Sequence, residues 1–189
     1  MMAERLTSFL WIAFLVYWAL TGLRAKKTVR GPSWAATAGI RVAVVLAVYV
    51  VWRSAAVTPF ASRFAGLSVS TAGGNIVGLI LCICGLAFAV WARRHIGRNW
   101  GMPMTLKENP ALVTTGPYAL VRHPIYTGWM AAMVGSALIG GGAWFVPLII
   151  LFAYFVYSAR QEERLMLQTF PNEYPAYMSR TKMLVPFVF

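Results

Sequence analysis

Stretches of apolar sequence long enough to cross a bilayer decide what this chain can fold into. They cover residues 9–23, 35–52 and 74–92, a run that opens at Ile125 and fades at Gly140-Gly141-Gly142, and residues 144–158. Inside hydrocarbon every backbone N–H and C=O has to be satisfied within its own segment, so such runs become helices. The expectation is an all-α integral membrane protein with about five transmembrane helices. The glycine triplet leaves room only for a tight turn, so the fourth and fifth runs should form a C-terminal helical hairpin.

Composition narrows the class further. Of 189 residues 59% are hydrophobic and 12% charged, with a net charge of +12, whereas about a quarter of a soluble domain is charged. There is no Asp, and the acids are Glu4, Glu108, Glu162, Glu163 and Glu173. A nucleic-acid binder can be equally basic, but it would not carry several membrane-length runs, so no nucleic-acid partner is expected. The first run is followed by Arg24, Lys26, Lys27 and Arg30 rather than a small-residue cleavage site, a stop-transfer pattern. Arg41 lies near the start of the second run, within snorkelling reach of the interface. Pro59, Arg63 and Gly66 mark a loop, and the third run ends in Arg93-Arg94-His95.

Lys and Arg concentrate after run one, after run three and in the C-terminal tail. The positive-inside rule then places the N-terminus outside and the C-terminus in the cytoplasm, as expected for a bacterial inner membrane. One membrane-embedded domain spans 1–189: three N-terminal spans over 1–92, a cytoplasmic connector over 93–124, the hairpin over 125–160 and a tail over 161–189. In that tail Leu165, Met166, Phe170, Tyr174, Tyr177 and Met178 alternate with charged residues, which suits an amphipathic interfacial helix broken at Pro171 that either caps a cytoplasmic cavity or lies on the membrane.

The chemistry concentrates in residues 112–129, LVTTGPYALVRHPIYTGW. Gly116-Pro117 signals a turn, and Pro124, with its fixed φ and absent N–H, suits the first turn of a helix. Arg122 and His123 then sit at a helix N-terminus that already favours an anion. The hairpin returns Glu162-Glu163 to the same face. On position alone His123 reads equally well as a headgroup-facing histidine, and Glu162-Glu163 as solvated acids in helical contact with Arg160 and Arg164. Cys82 and Cys84 read as small buried residues, His95 as interfacial, and the tryptophans and tyrosines near span ends as an interfacial belt. Two histidines and no Asp make a dedicated metal site unexpected.

From Leu112 to Pro186 the chain resembles the isoprenylcysteine carboxyl methyltransferase family, whose signature phospholipid N-methyltransferases share. Gly116, Tyr118, Arg122-His123-Pro124, Tyr126, Gly128, Arg160, Glu162-Glu163, Phe170, Tyr174 and Tyr177 carry the resemblance. Pro110 stands where the eukaryotic members tend to have a His. The resemblance implies a membrane methyltransferase using S-adenosylmethionine, held by Gly116, Tyr118, Arg122, His123, Pro124, Tyr126, Gly128, Glu162 and Glu163. A lipophilic acceptor would enter from the bilayer. A prenylcysteine-like carboxylate is the favoured acceptor, oriented by Arg160, with Arg160 and Glu163 as catalytic residues. Phospholipid amines and small thiols are the alternatives.

Two other classes stay in view. A sterol-type NADPH-dependent reductase would suit the basic face, but needs a hydride site and a 2′-phosphate clamp for which no separate residues stand out. A small transporter or scaffold could use Glu162-Glu163 as a cation site, yet the first four runs hold no acid.

Overall fold

The structure, a computed structural model, describes residues 2–22, 26, 28–30, 71–101, 105–141 and 145–188. The second apolar run, the loop marked by Pro59, Arg63 and Gly66, and Arg24, Lys27 and Arg41 lie outside the described residues. Five α-helices are described: α1 (Met2–Gly22), α2 (Ala72–Ile96), α3 (Pro124–Gly140), α4 (Phe145–Thr169) and α5 (Glu173–Arg180). Short 3-10 turns at Gly97–Asn99 and Gly116–Ala119 shape the connector. Among the described residues, helix Met2–Gly22 and the stretch Ala72–Asn99 are long and apolar enough to cross a membrane.

One element departs from the all-helical expectation. Strand β1 (Thr28–Arg30) pairs antiparallel with β2 (Leu106–Lys107). Both flank the apolar runs, where the backbone need not be satisfied within its own segment.

The core is the α2–α3 contact. Gly78 meets Gly135 and Gly85 meets Gly128, and a Cβ on any of the four would strike the facing backbone. A Cβ at Gly85, for example, would lie 2.5 Å from Ala132 N and 2.6 Å from Gly128 O. Cys82, Ala89, Ala132 and Ala137, all fully buried, continue the seam. Small residues allow this close approach, which is the main source of association where surrounding lipid is as apolar as the helices. Against this pair α1 lays Trp11, Phe14 and Trp18, and Trp11 Nε1 donates to Ser136 Oγ at 2.9 Å.

Arg93 is buried near the end of α2. Its Nη1 donates to Gly97 O at 2.8 Å and its Nη2 to Thr21 O at 2.6 Å, and its guanidinium lies 4.4 Å from the Trp100 ring. One cation thus ties the ends of α1 and α2 to the start of the connector, by hydrogen bonds and a cation–π contact.

α4 does not stop before the acidic pair but continues to Thr169, so Glu162 and Glu163 lie inside a helix. The tail then turns at Pro171-Asn172, and α5 folds back on the connector instead of only lying at an interface. Tyr174 and Tyr177 are buried, and Tyr177 donates its hydroxyl to Tyr118 O at 2.6 Å.

Candidate functional site

The connector turn is held by a glycine and a histidine. Gly116 has φ +59°, strained for any side chain, and a Cβ there would lie 2.7 Å from His95 Cε1. His95 Nε2 is 2.9 Å from Thr115 Oγ1, and its ring stacks on Tyr118 with centroids 6.3 Å apart. His95, read from sequence as interfacial, therefore pins the turn that carries Tyr118.

The Arg-His-Pro segment is held by backbone from the tail. Arg122 N donates to Lys182 O at 2.8 Å and His123 N to Met183 O at 3.0 Å, next to a parallel bridge between Val121 and Lys182. Thr127 Oγ1 adds a bond to Leu184 O at 2.6 Å. α3 begins at Pro124 with His123 as its N-cap, as the proline's missing N–H allows.

Four ionisable side chains close the site. Arg122 Nε donates to Glu163 Oε1 at 2.5 Å, and its Nη1 donates to Thr181 O. His123 lies between the acids, with Nδ1 3.4 Å from Glu162 Oε2 and Nε2 3.4 Å from Glu163 Oε1. The Nε2 contact has ion-pair distance without hydrogen-bond alignment, since that buried nitrogen has no aligned partner. Tyr126 donates its hydroxyl to Glu162 Oε1 at 2.5 Å. The His123 and Tyr126 rings are parallel within 5° at 5.5 Å, and Tyr126 stacks on Phe155 at 4.5 Å.

The surroundings set the charges. Burial disfavours protonated His123, but the two carboxylates of Glu162 and Glu163 beside its ring outweigh it and hold its pKa above the ordinary value. Burial likewise disfavours ionised Glu163, yet His123 and Arg122 hold its pKa below the ordinary value. Burial, chiefly, pushes Tyr177 up to about 12 and Tyr118 higher still, so both phenols remain hydrogen-bond donors.

Several of these groups, though not Glu163, line a cavity of about 350 Å³. Arg122, His123, Tyr126, Glu162, Tyr118 and Tyr174 give the polar lining. Trp18, Trp100, Trp129, Phe155 and Leu151 give the apolar wall. The wall rings touch in sequence: Trp100 on Trp18 at 5.7 Å, Trp18 on Trp129 at 6.1 Å and Trp129 on Phe155 at 6.4 Å. Sequence reasoning missed this wall because it assigned such residues to an interfacial belt. The available signal was the seven-residue spacing of Trp11 and Trp18, which puts both rings on one face of α1.

The structure brings together Tyr118, Arg122, His123, Pro124, Tyr126 and Glu162 as cavity lining. Gly116 lies under His95, and Gly128 lies in the α2–α3 seam against Gly85 and Ala89. Glu163 sits behind the lining, on Arg122. Arg160 is exposed and borders a separate outer groove of α4. Two residues on a helix subtend about 200°, so Arg160 and Glu162 face nearly opposite ways.

Two long apolar helical stretches, Met2–Gly22 and Ala72–Asn99, with much of their surface unburied by the rest of the chain, are those of a membrane protein. Residues 74–173 match the family model described as phospholipid methyltransferase, and the chain belongs to that family. It is also similar to individual proteins. Protein-S-isoprenylcysteine O-methyltransferase of Tribolium castaneum is 28% identical over 116 residues, 59% of this chain and 41% of the relative. The protein of that name from Saccharomyces cerevisiae is 28% identical over 125 residues, 64% of this chain and 52% of the relative. Nickel-cobalt-cadmium resistance protein NccN of Alcaligenes xylosoxydans xylosoxydans is 31% identical over 94 residues, 48% of this chain and 44% of the relative. The chain spans about half the length of the curated relatives it matches.

Proposed function

We propose that the protein is an S-adenosylmethionine-dependent methyltransferase that acts on a lipophilic acceptor at the cytoplasmic face of a membrane. The observation that carries this reading is the cavity itself, lined by Arg122, His123 and Glu162 together with the edge-to-face rings of Trp18, Trp100, Trp129 and Phe155. S-adenosylmethionine supplies an electrophilic methyl group on a sulfonium and is otherwise an amino acid joined to a nucleoside. The donor set suits it. Arg122 and His123 would favour its carboxylate, Glu162 would accept from its ammonium or ribose, and Tyr118 and Tyr126 would offer ring faces to adenine or the cation. Glu163 does not line the cavity and acts by holding Arg122 in place. Methyl transfer needs alignment and exclusion of water more than proton transfer, and the walls of Trp18, Trp129 and Phe155 serve both needs.

A prenylcysteine-type carboxylate is the first choice of acceptor, in keeping with the names of the O-methyltransferase relatives. One observation favours a second reading, an amine such as that of phosphatidylethanolamine. Among the described residues Arg122 is the sole Lys or Arg lining the cavity, because Arg160 does not reach it. An acceptor carboxylate would have to share Arg122 with the methyl donor.

The test is transfer of label from methyl-labelled S-adenosylmethionine by protein purified in detergent, using prenylcysteine analogues, phosphatidylethanolamine and small thiols. Label in the prenylcysteine acid is the expected result. Label in phosphatidylethanolamine alone would select the amine reading. Transfer to none, with no calorimetric binding of S-adenosylhomocysteine, would overturn the methyltransferase assignment.

A further inference from the structure

The outer face of α4 carries a stripe that the cavity does not use. Phe152, Val156, Tyr157, Arg160, Gln161 and Arg164 border one groove, and their spacing of about four residues keeps them on one side of the helix. Phe152 and Tyr157 are exposed, at 46% and 56%, and both arginines are exposed as well. Among the described residues neither arginine has an ion-pair partner, since the ion pairs of Glu162 and Glu163 run to Arg122 and His123. The stripe is therefore apolar and aromatic along the helix and doubly cationic at the end that also carries Glu162. Arg160 and Arg164 are one turn apart, about 6 Å along the axis. Two guanidinium forks at that spacing suit a phosphate, and Gln161 between them can hydrogen-bond an ester or a glycerol hydroxyl.

We infer that this face of α4 is a binding site for an anionic phospholipid of the surrounding bilayer. Its phosphate lies between Arg160 and Arg164, and an acyl chain runs along Val156, Tyr157 and Phe152. Charge complementarity selects the occupant. A zwitterionic lipid brings its own cation to the headgroup, and a soluble anion makes no use of the exposed aromatic edge. The cavity lies on the opposite side of the same helix, so the lipid would brace α4 from behind without entering the cavity.

The experiment uses the full chain in detergent, titrated with phosphatidylglycerol or with phosphatidylcholine of the same acyl chains. Lipid affinity is read by native mass spectrometry and the thermal unfolding midpoint is followed alongside. Phosphatidylglycerol should bind at least about tenfold more tightly and should raise the midpoint, as expected for two arginines at a lipid surface. The double variant Arg160→Gln/Arg164→Gln should lose that preference while still binding phosphatidylcholine. Should the double variant not fold, each single variant should lose about threefold. Equal affinity of the parent for the two lipids, or an unchanged preference in the variants, overturns the site. Protection by soluble glycerol phosphate matching that of phosphatidylglycerol also overturns it, because the aromatic edge would then contribute nothing.

Discussion

Glu163 accepts the Nε–H of Arg122 at 2.5 Å, and the two side chains are only 11% and 10% exposed. The neighbouring Glu162 is turned about 100° around α4, accepts from Tyr126 and lines the cavity. Two adjacent acids therefore hold different positions, one bracing the site from behind and one presented to whatever fills it. Their substitutions should separate stability from binding.

Glu163→Ala leaves the buried Arg122 guanidinium without its carboxylate, and breaking a buried pair costs about 3–5 kcal/mol. The midpoint of thermal unfolding in detergent should drop sharply. Glu163→Gln, which keeps an acceptor oxygen, should drop less. Equal midpoints for the parent and both variants would show that the pair contributes nothing to the fold.

Glu162→Gln should leave that midpoint nearly unchanged and weaken S-adenosylhomocysteine binding. A charge-assisted hydrogen bond is worth about 1.5–3 kcal/mol, which corresponds to roughly ten- to hundredfold in affinity. Calorimetry on the same preparations checks it, and undiminished affinity would remove Glu162 from the donor set.

Stability should depend on pH with two limbs. Glu163, depressed in the fold, contributes fully above its ordinary value of 4.5 and loses that contribution as pH falls through its folded value. His123, elevated in the fold, contributes fully below its ordinary value of 6.5 and loses that contribution as pH rises through its folded value. Unfolding midpoints should be level between about pH 4.5 and 6.5 and fall on either side. His123→Gln should flatten the alkaline limb and also shrink the acid one, because His123 and Arg122 together depress Glu163; an unchanged alkaline limb would assign it to another group.

Gly128→Ala should destabilise by about 1–3 kcal/mol or more, because the added methyl would sit 2.6 Å from Gly85 O and 2.7 Å from Ala89 N. Gly73, on the same α2 helix as Gly85, has nothing within 4 Å of its would-be Cβ. Gly73→Ala should be neutral or stabilising by up to about 1 kcal/mol. The contrast tests the α2–α3 seam independently of any ligand.

Orientation is tested by labelling. Gly140→Cys places an exposed thiol at the end of α3, and Ala119→Cys places one on the connector. Positive-inside counting predicts that an impermeant reagent reaches the α3 thiol from outside and the connector thiol only after permeabilisation. The reverse pattern would put the cavity mouth on the wrong side for a cytoplasmic methyl donor.

What could be read from the sequence was local chemistry and the apolar runs. Pro124 marked a helix start, and Arg122, His123 and Glu162 were singled out together, while the turn expected at the glycine triplet runs into residues outside the described ones. Helix faces could not be read. α2 and α3 are apolar all round, so no amphipathic stripe shows which side packs; of the seam glycines only Gly128 was singled out, and for a cofactor rather than for the packing against Gly85 and Ala89. The same ambiguity let Arg160 be grouped with Glu162 by proximity in sequence, although helical rotation carries it to the other side. Arg93 and the tail's bonds to Arg122 and His123 were invisible for a different reason. Their partners are mostly backbone carbonyls, and backbone leaves no trace in residue identity.

Those tail bonds also impose an order in time. Arg122 donates to the carbonyl of Thr181, 59 residues later in the chain, and at about 5–20 residues per second a ribosome takes roughly 3–12 s to cover that distance. Throughout that interval α3 can enter the membrane while Arg122 and His123 wait at the surface without their backbone partners. Completion of the site should therefore lag insertion of α3 by seconds.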